Sequence, residues 1–230
     1  MNISQTPGHV GIILDGNRRW ARANGLETLE GHKRGSEVFK TVSLGLFERG
    51  VKYVSGFIFS TENWQRKADE VDYLMRLVIK AVEIHLDEYH KNNIRIRILG
   101  MRDNLKPSVL KAIEKTERKT ADNTGGTLAL CFNYGGREEI VEATKKLIAS
   151  GVSPYEVDQQ MVSSQMYAPE IPDIDLLVRT SGEQRLSGFM MWRAEYAELL
   201  FTQKHWPDIT LADFDGFLDE YNQRKRRFGC

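Results

Sequence analysis

Four apolar runs in this chain each break off into a polar cluster: GIILDGNRRW, GFIFSTENWQR, LALCFNYGGR and DLLVRTSGEQR. A short continuous apolar run of this kind predicts a strand buried on both faces, as in a parallel sheet. Between the runs the period changes. Residues 35–49 carry Val38, Val42 and Leu46 at four-residue spacing, which predicts an amphipathic helix stopped by Gly50. A long helix is predicted over 68–90 from Val71, Leu74, Met75, Val78, Val82 and Leu86. Pro107 is placed to open another helix, 137–149 predicts one ended by Gly151, and 211–227 predicts the last. Ser153 and Glu156 have the spacing of a capping box for a short helix. Further strands are predicted at 53–60, 127–133, 174–178 and 198–201. Ile94, Ile96 and Ile98 alternate with Arg95 and Arg97, which predicts a strand with one wet face or a place near the sheet edge.

Strands separated by helices imply an α/β fold, with a mainly parallel central sheet flanked by helices and joined by right-handed crossovers. No repeat, low-complexity linker or long break divides residues 1–230, so a single domain is expected. In open α/β sheets ligands bind just beyond the carboxyl ends of the strands. The four polar clusters are therefore expected to meet at one edge of the sheet. They would bring together Arg18, Arg19, Arg66, Arg137, Arg179 and Arg185, the carboxylates Asp15 and Glu62, and the pair Trp20 and Trp64. That composition suits an anion.

Charge makes this concentration local. The 32 basic and 32 acidic residues cancel, so no whole-molecule field draws the chain to nucleic acid or an anionic membrane. The run Arg224-Lys225-Arg226-Arg227 reads as a solvated helix end rather than a nucleic-acid patch. Of the two cysteines, Cys131 lies in an apolar strand and Cys230 at the terminus, which argues against a disulfide framework or a zinc site. The first residues lack the layout of a signal peptide, and no apolar run is long enough to span a bilayer. A soluble cytoplasmic protein is expected.

Within the clusters, Asp15 ends a strand and Gly16 allows close backbone approach to a ligand. The residues that follow start a helix, whose free N–H groups favour anions. Ser60, Thr61, Glu62 and Asn63 could hold a polar substrate beside the flat face of Trp64, or simply cap a helix; the polar stretch 67–70 reads as a lid. Arg179 and Arg185 flank a small polar loop suited to phosphate oxygens. No Walker A sequence, dinucleotide fingerprint, HExxH, metal-binding cysteine pair or G-x-S-x-G elbow occurs. With no nucleophile in view, the chemistry reads as electrostatic stabilisation of a leaving anion, with Mg²⁺ bridging carboxylate and phosphate. The residues alone reach a phosphate- or diphosphate-handling enzyme.

Seven motifs in order, HVGIILDGNRRWA, GHKRG, FSTENWQR, NYGGREEI, DLLVRTSGEQRLS, WRAEYAELLF and RRFG, span residues 9–229. In this respect the chain resembles the cis-prenyltransferases, the undecaprenyl diphosphate synthase family. The Asp-Asp pair of trans-prenyltransferases occurs nowhere. The resemblance implies condensation of isopentenyl diphosphate onto an allylic diphosphate such as farnesyl diphosphate. Each new double bond would be cis, giving a polyprenyl diphosphate such as undecaprenyl diphosphate for cell-wall synthesis. By motif position Asp15 would bind Mg²⁺ and assist departure of pyrophosphate, and Glu198 would complete the metal site. Gly16, Asn17, Arg18, Arg19 and Trp20 would surround the allylic substrate with His32 nearby, and Ser60, Thr61, Glu62, Trp64 and Arg66 would shape the same pocket. Asn63 would accept or relay the proton, although an amide is a poor base and better positions a water or phosphate oxygen that takes it. Arg179, Arg185, Leu186 and Ser187 would hold isopentenyl diphosphate. Thr28 stands where many relatives carry an arginine for the allylic diphosphate.

The resemblance also implies a homodimer, an apolar tunnel for the growing chain, and transient, peripheral membrane contact for product release. Leu77 and Ile79 add apolar positions to the long helix; they would line that tunnel or serve as ordinary core. A catalytically silent partner or lipid-binding subunit with the same fold is the alternative, but such a subunit would be expected to lose Asp15 or the RTSGEQR arginines, and all are present. A phosphatase or phosphotransferase would need a nucleophile or base that is not evident.

Overall fold

The computed structural model describes residues 6–224. Six strands, β1 (His9–Ile13), β2 (Tyr53–Ser60), β3 (Ile94–Leu99), β4 (Gly126–Tyr134), β5 (Leu176–Arg179) and β6 (Glu198–Phe201), form one sheet in the order β3-β4-β2-β1-β5-β6. Every neighbouring pair is parallel. The central strand β1 is buried along its whole length, and this is why its sequence is a continuous apolar run rather than an alternating one. Helices α1 (Asn17–Ala23), α2 (Thr28–Glu48), α3 (Ala68–Lys91), α4 (Pro107–Lys119), α5 (Gly136–Ala149), α6 (Gln159–Gln165) and α7 (Leu211–Gln223) complete the described fold.

The core divides across the sheet. On one side Val10, Ile12, Val54, Leu128 and Leu176 pack under Val38, Val42 and Leu46 of α2, Leu74 and Leu86 of α3, Ile113 of α4 and Phe214 of α7. On the other, Ile13, Cys131, Tyr134 and Leu177 meet Ile171, Ile174, Phe189 and Met190. Burial pushes the Cys131 thiol well above its ordinary range, so it behaves as an inert apolar side chain, as its place in the sequence suggests. Strand β3 is an edge strand. Its outward N–H groups are capped by α4, Ile96 by Thr120 Oγ1 at 3.0 Å and Ile98 by Glu117 Oε1 at 2.9 Å.

Three predicted boundaries shift. Helix α2 begins at Thr28 rather than residue 35, and so carries Gly31 and Gly35 in its interior. A Cβ at Gly31 would fall on the Asn17 carbonyl oxygen, and one at Gly35 on Asn17 Oδ1, so the two glycines let α1 lie directly on α2. Glu156 does accept from the Ser153 N–H at 3.3 Å, but only a turn forms there. The helix starts at Gln159, capped by Asp158, whose carboxylate accepts from Met161 N at 2.7 Å. Helix α7 ends at Gln223 because Arg224 is extended and its side chain pairs with Glu198 at 3.0 Å and Glu220 at 2.5 Å. Residues 225–227, predicted as helical, lie outside the described residues, as does Cys230.

Candidate functional site

The chain leaves β1 towards β2, β3 and β4 on one side and returns to β5 on the other, so the strand order reverses between β1 and β5. Ligand crevices of open α/β sheets lie at such a point. Asp15 follows β1 and Arg179 ends β5. Ile13 and Arg179 are paired in register, which sets the two side chains beside each other. Arg179, 5% exposed, donates from Nη2 to Asp15 Oδ2 at 2.9 Å and from Nη1 to Ser187 Oγ at 2.8 Å and the Arg185 carbonyl at 2.5 Å. Arg19 holds the other Asp15 oxygen at 3.1 Å. The Asp15 carbonyl accepts from Thr180 Oγ1 at 2.6 Å and from the Trp206 N–H at 3.0 Å. Gly16 turns the chain into α1 with φ of 108°, and a Cβ there would press on Ser181 Oγ and His205 Nδ1, which are 2.6 Å apart.

These contacts frame a bowl of about 400 Å³ lined by Leu14, Asp15, Gly16, Asn17, Arg18, Arg19, Arg22, His32 and Arg66. Arg18 and Arg66 lie 3.7 and 3.2 Å from Glu70, in the first turn of α3. The polar stretch 67–70 is thus the N-cap and first turn of a helix. Leu14, Asn17, His32 and Arg66 also line a second cavity of about 210 Å³, which runs between α2, α3 and the sheet along Phe39, Leu74, Leu77, Val78, Ala81 and Val82. Ile79 instead faces a smaller space of about 20 Å³ between α3 and α4. His32 stands where bowl and apolar cavity join. Burial first, and then the nearby Arg66 cation, lowers its pKa to about 4, so it is neutral at physiological pH. Its buried Nε2 has no hydrogen-bond partner among the described residues.

The second motif folds as a 3₁₀ turn, Thr61–Gln65, so the capping reading of its sequence holds. The Ser60 N–H donates to Asn63 Oδ1 at 3.2 Å. That bond fixes the amide with its oxygen towards the turn, while Asn63 borders the apolar cavity near its junction with the bowl. An Asn63 so oriented presents a donor rather than a base. Trp64 stands edge-on to Phe59 and gives its indole N–H to Asn133 Oδ1 at 2.7 Å, and Trp20 gives its own to Asp208 at 2.6 Å. Both tryptophans anchor loops and line neither cavity. Leu186 packs on the second core cluster. Glu62 accepts from Thr61 Oγ1 at 3.5 Å, and Arg137 is exposed on the first turn of α5.

Glu198 stands apart. It is in register with Leu176 and, through it, Val10, at the amino end of the sheet, where it pairs with Arg224. Asp15 lies five residues beyond Val10, roughly 16 Å along the strand direction at about 3.3 Å per residue. The two carboxylates that the resemblance groups as one metal site do not meet within a chain. Among the described residues no cluster of three or more His, Cys, Asp or Glu side chains could hold a metal. Asp15, partly exposed among arginines at an anion bowl, does fit the way Mg²⁺ is held by one carboxylate together with phosphate oxygens. Sequence reading missed Arg22, Glu70 and Glu183. Arg22 was legible as the residue four places after Arg18 on the same helical face; each glutamate also lies near one partner in sequence, Glu70 four residues after Arg66 and Glu183 within the RTSGEQR loop, but their pairing with Arg18 and Arg19 of α1 comes only from the fold.

The family model described as "Putative undecaprenyl diphosphate synthase" matches residues 13–229. The chain is 44% identical over 230 residues to isoprenyl transferase 2 of Bradyrhizobium diazoefficiens, covering 98% of this chain and 91% of that one. It is 42% identical to isoprenyl transferase of Thermotoga maritima, with 97% of each covered. Lavandulyl diphosphate synthase from Lavandula x intermedia, solved with dimethylallyl diphosphate, superposes with a TM-score of 0.94 at 33% identity, over 98% of this chain and 99% of that one. A probable undecaprenyl diphosphate synthase from Campylobacter jejuni gives 0.84 at 29% identity, covering 98% and 100%.

Proposed function

The chain belongs to the undecaprenyl diphosphate synthase family of cis-prenyltransferases, and from that premise we propose that it condenses isopentenyl diphosphate onto an allylic diphosphate such as farnesyl diphosphate to make a polyprenyl diphosphate. One observation carries the reading: the cationic bowl adjoins the apolar cavity, and Leu14, Asn17, His32 and Arg66 line both. A diphosphate head joined to a hydrocarbon tail has that division of polarity. The allylic diphosphate would lie against Arg18, Arg19, Arg22 and Arg66, with its tail between α2 and α3. Arg185, exposed on the facing loop, would take isopentenyl diphosphate, while buried Arg179 holds that loop and Asp15 in place.

Little covalent chemistry is asked of such a site. Departure of pyrophosphate from the allylic carbon leaves negative charge on its oxygens, and preorganised guanidiniums stabilise that charge. Mg²⁺ held by Asp15 would supply further charge neutralisation. The proton lost from isopentenyl diphosphate needs an acceptor near Asn63; with its amide oxygen engaged by Ser60, Asn63 would orient a water or a phosphate oxygen to take it. Neutral His32 leaves the bowl's cationic charge to the arginines. A homodimer belongs to the same reading and is supported by Leu199, 36% exposed on edge strand β6, beside Tyr196 at 62%; sedimentation at micromolar concentration tests it. Among the described residues no helix is long and apolar enough to cross a membrane, and release of an apolar product would need contact with a membrane surface.

Purified protein given labelled isopentenyl diphosphate, Mg²⁺ and allylic diphosphates of five to twenty carbons is expected to yield butanol-extractable labelled product. Absence of product with every primer would sink the enzyme reading and leave the non-catalytic subunit.

A further inference from the structure

The cations of the bowl are already engaged by carboxylates of the chain itself, and one of these spans the two sides. Glu183 places Oε1 3.3 Å from Nη1 of Arg19 on α1, and Oε2 2.5 Å from Nη1 of Arg185 on the facing loop. Arg19 in turn holds Asp15 at 3.1 Å. The loop presenting Glu183 is set by its backbone. Ser181 and Gly182 have φ of 74° and 79°, with their N–H groups bonded to the carbonyls of Lys204 at 2.9 Å and Thr202 at 2.8 Å. A carboxylate held between two guanidiniums is the geometry in which a phosphate would sit. By contrast Arg22 lines the bowl without an ion pair among the described residues.

On the reading that both arginines serve diphosphates, we propose that Glu183 is an internal counter-anion, displaced by whichever diphosphate binds first, and that its displacement couples the two subsites. Bound to Arg19, an allylic diphosphate removes one of the two charges that hold Glu183. The negative charge of that diphosphate also repels the carboxylate, which turns away and leaves Arg185 available to the second diphosphate. The coupling is reciprocal, as any linkage of binding free energies must be. Glu183 is a positioning residue in this scheme, since it sets the availability of both arginines without touching a reacting atom.

Calorimetric titration of the full chain with inorganic pyrophosphate, in EDTA, tests the scheme with and without an unreactive thio-analogue of farnesyl diphosphate. The analogue is expected to tighten pyrophosphate binding to the wild type about five-fold, the scale of one exposed ion pair. Glu183→Gln is expected to bind pyrophosphate about that much more tightly from the start and to show no further response to the analogue. With substrates, both KM values should fall together in this variant without a rise in kcat, the pattern of uniform binding. Glu183→Ala should behave alike, which keeps the test open if the glutamine variant fails to fold. Wild-type binding that ignores the analogue, or a variant that responds as the wild type does, overturns the coupling while leaving the diphosphate site intact. If the wild type binds neither pyrophosphate nor the analogue, in EDTA or with Mg²⁺ in its place, the functional reading falls and the coupling with it.

Discussion

Asp15 ties the stability of the fold to the site proposed for the chemistry. Its carboxylate is the counter-charge for buried Arg179, whose other bonds fix the Arg185–Ser187 loop. Asp15→Ala leaves that guanidinium buried and uncompensated, and is expected to cost about 3 kcal/mol in urea unfolding. Asp15→Asn retains one oxygen for Arg179 and should stay close to wild-type stability while kcat falls by about 10²- to 10³-fold, the scale of losing one electrostatic stabiliser. Wild-type turnover in Asp15→Asn would remove the carboxylate from the reaction. The motif DGNRRW makes Asp15 and its arginines visible in sequence. Arg179 as its partner is visible only through the register of β1 with β5, because 164 residues separate them.

At the scale of elements, the α1–α2 contact rests on absent side chains. Gly31 has poor helix propensity, which favours starting α2 later, yet Gly31 and Gly35 both lie inside it because only a bare Cα admits Asn17. Gly35→Ala is expected to cost about 1 to 3 kcal/mol in thermal or urea unfolding and to raise KM for the allylic substrate as Asn17 is pushed aside. Helix α3 carries the other element-level consequence. Ala81 faces the apolar cavity beside Leu77 and Val82. Ala81→Trp should fill that space and shift products to shorter chains, read by thin-layer chromatography of the dephosphorylated lipids. An unchanged length distribution would place the growing chain elsewhere. The periodicity of α3 shows an apolar stripe but cannot separate cavity wall from packed core, since both demand the same residues. Leu77 and Ile79 illustrate this, two positions apart and facing different spaces.

For the molecule as a whole, His9 ties three parts of the chain together. Its Nε2 is 2.7 Å from Ser55 Oγ on β2 and its Nδ1 2.8 Å from the Pro172 carbonyl before β5. Burial is the main cause that lowers its pKa to about 4, with Arg193 adding to it. Between pH 6.5 and 4 the unfolded chain therefore takes up a proton at His9 that the folded chain refuses. The stability associated with neutral His9 is complete above pH 6.5 and is lost as pH falls towards 4. His32 adds a second such group. Urea unfolding from pH 7 to 5 should show stability falling with acid, with a slope up to roughly 1.4 kcal/mol per pH unit shallower in His9→Asn. An identical slope in that variant would show that His9 titrates in the folded state.

Strand-then-polar patterning was enough to set the α/β class, the parallel sheet and the end of the sheet where the arginine-rich clusters collect. Those follow from local rules: continuous apolar runs must be buried on both faces, and clusters after parallel strands must share an edge. Which of the motif residues face the bowl, and which carboxylates meet, required the tertiary structure. Trp20, Trp64 and Glu198 sit within motifs as informative as that of Asp15, yet the first two turn their indole N–H groups to Asp208 and Asn133, and the third lies at the far end of its strand. Side-chain direction and strand register are long-range quantities. They are fixed by packing between segments far apart in sequence, and no local pattern encodes them.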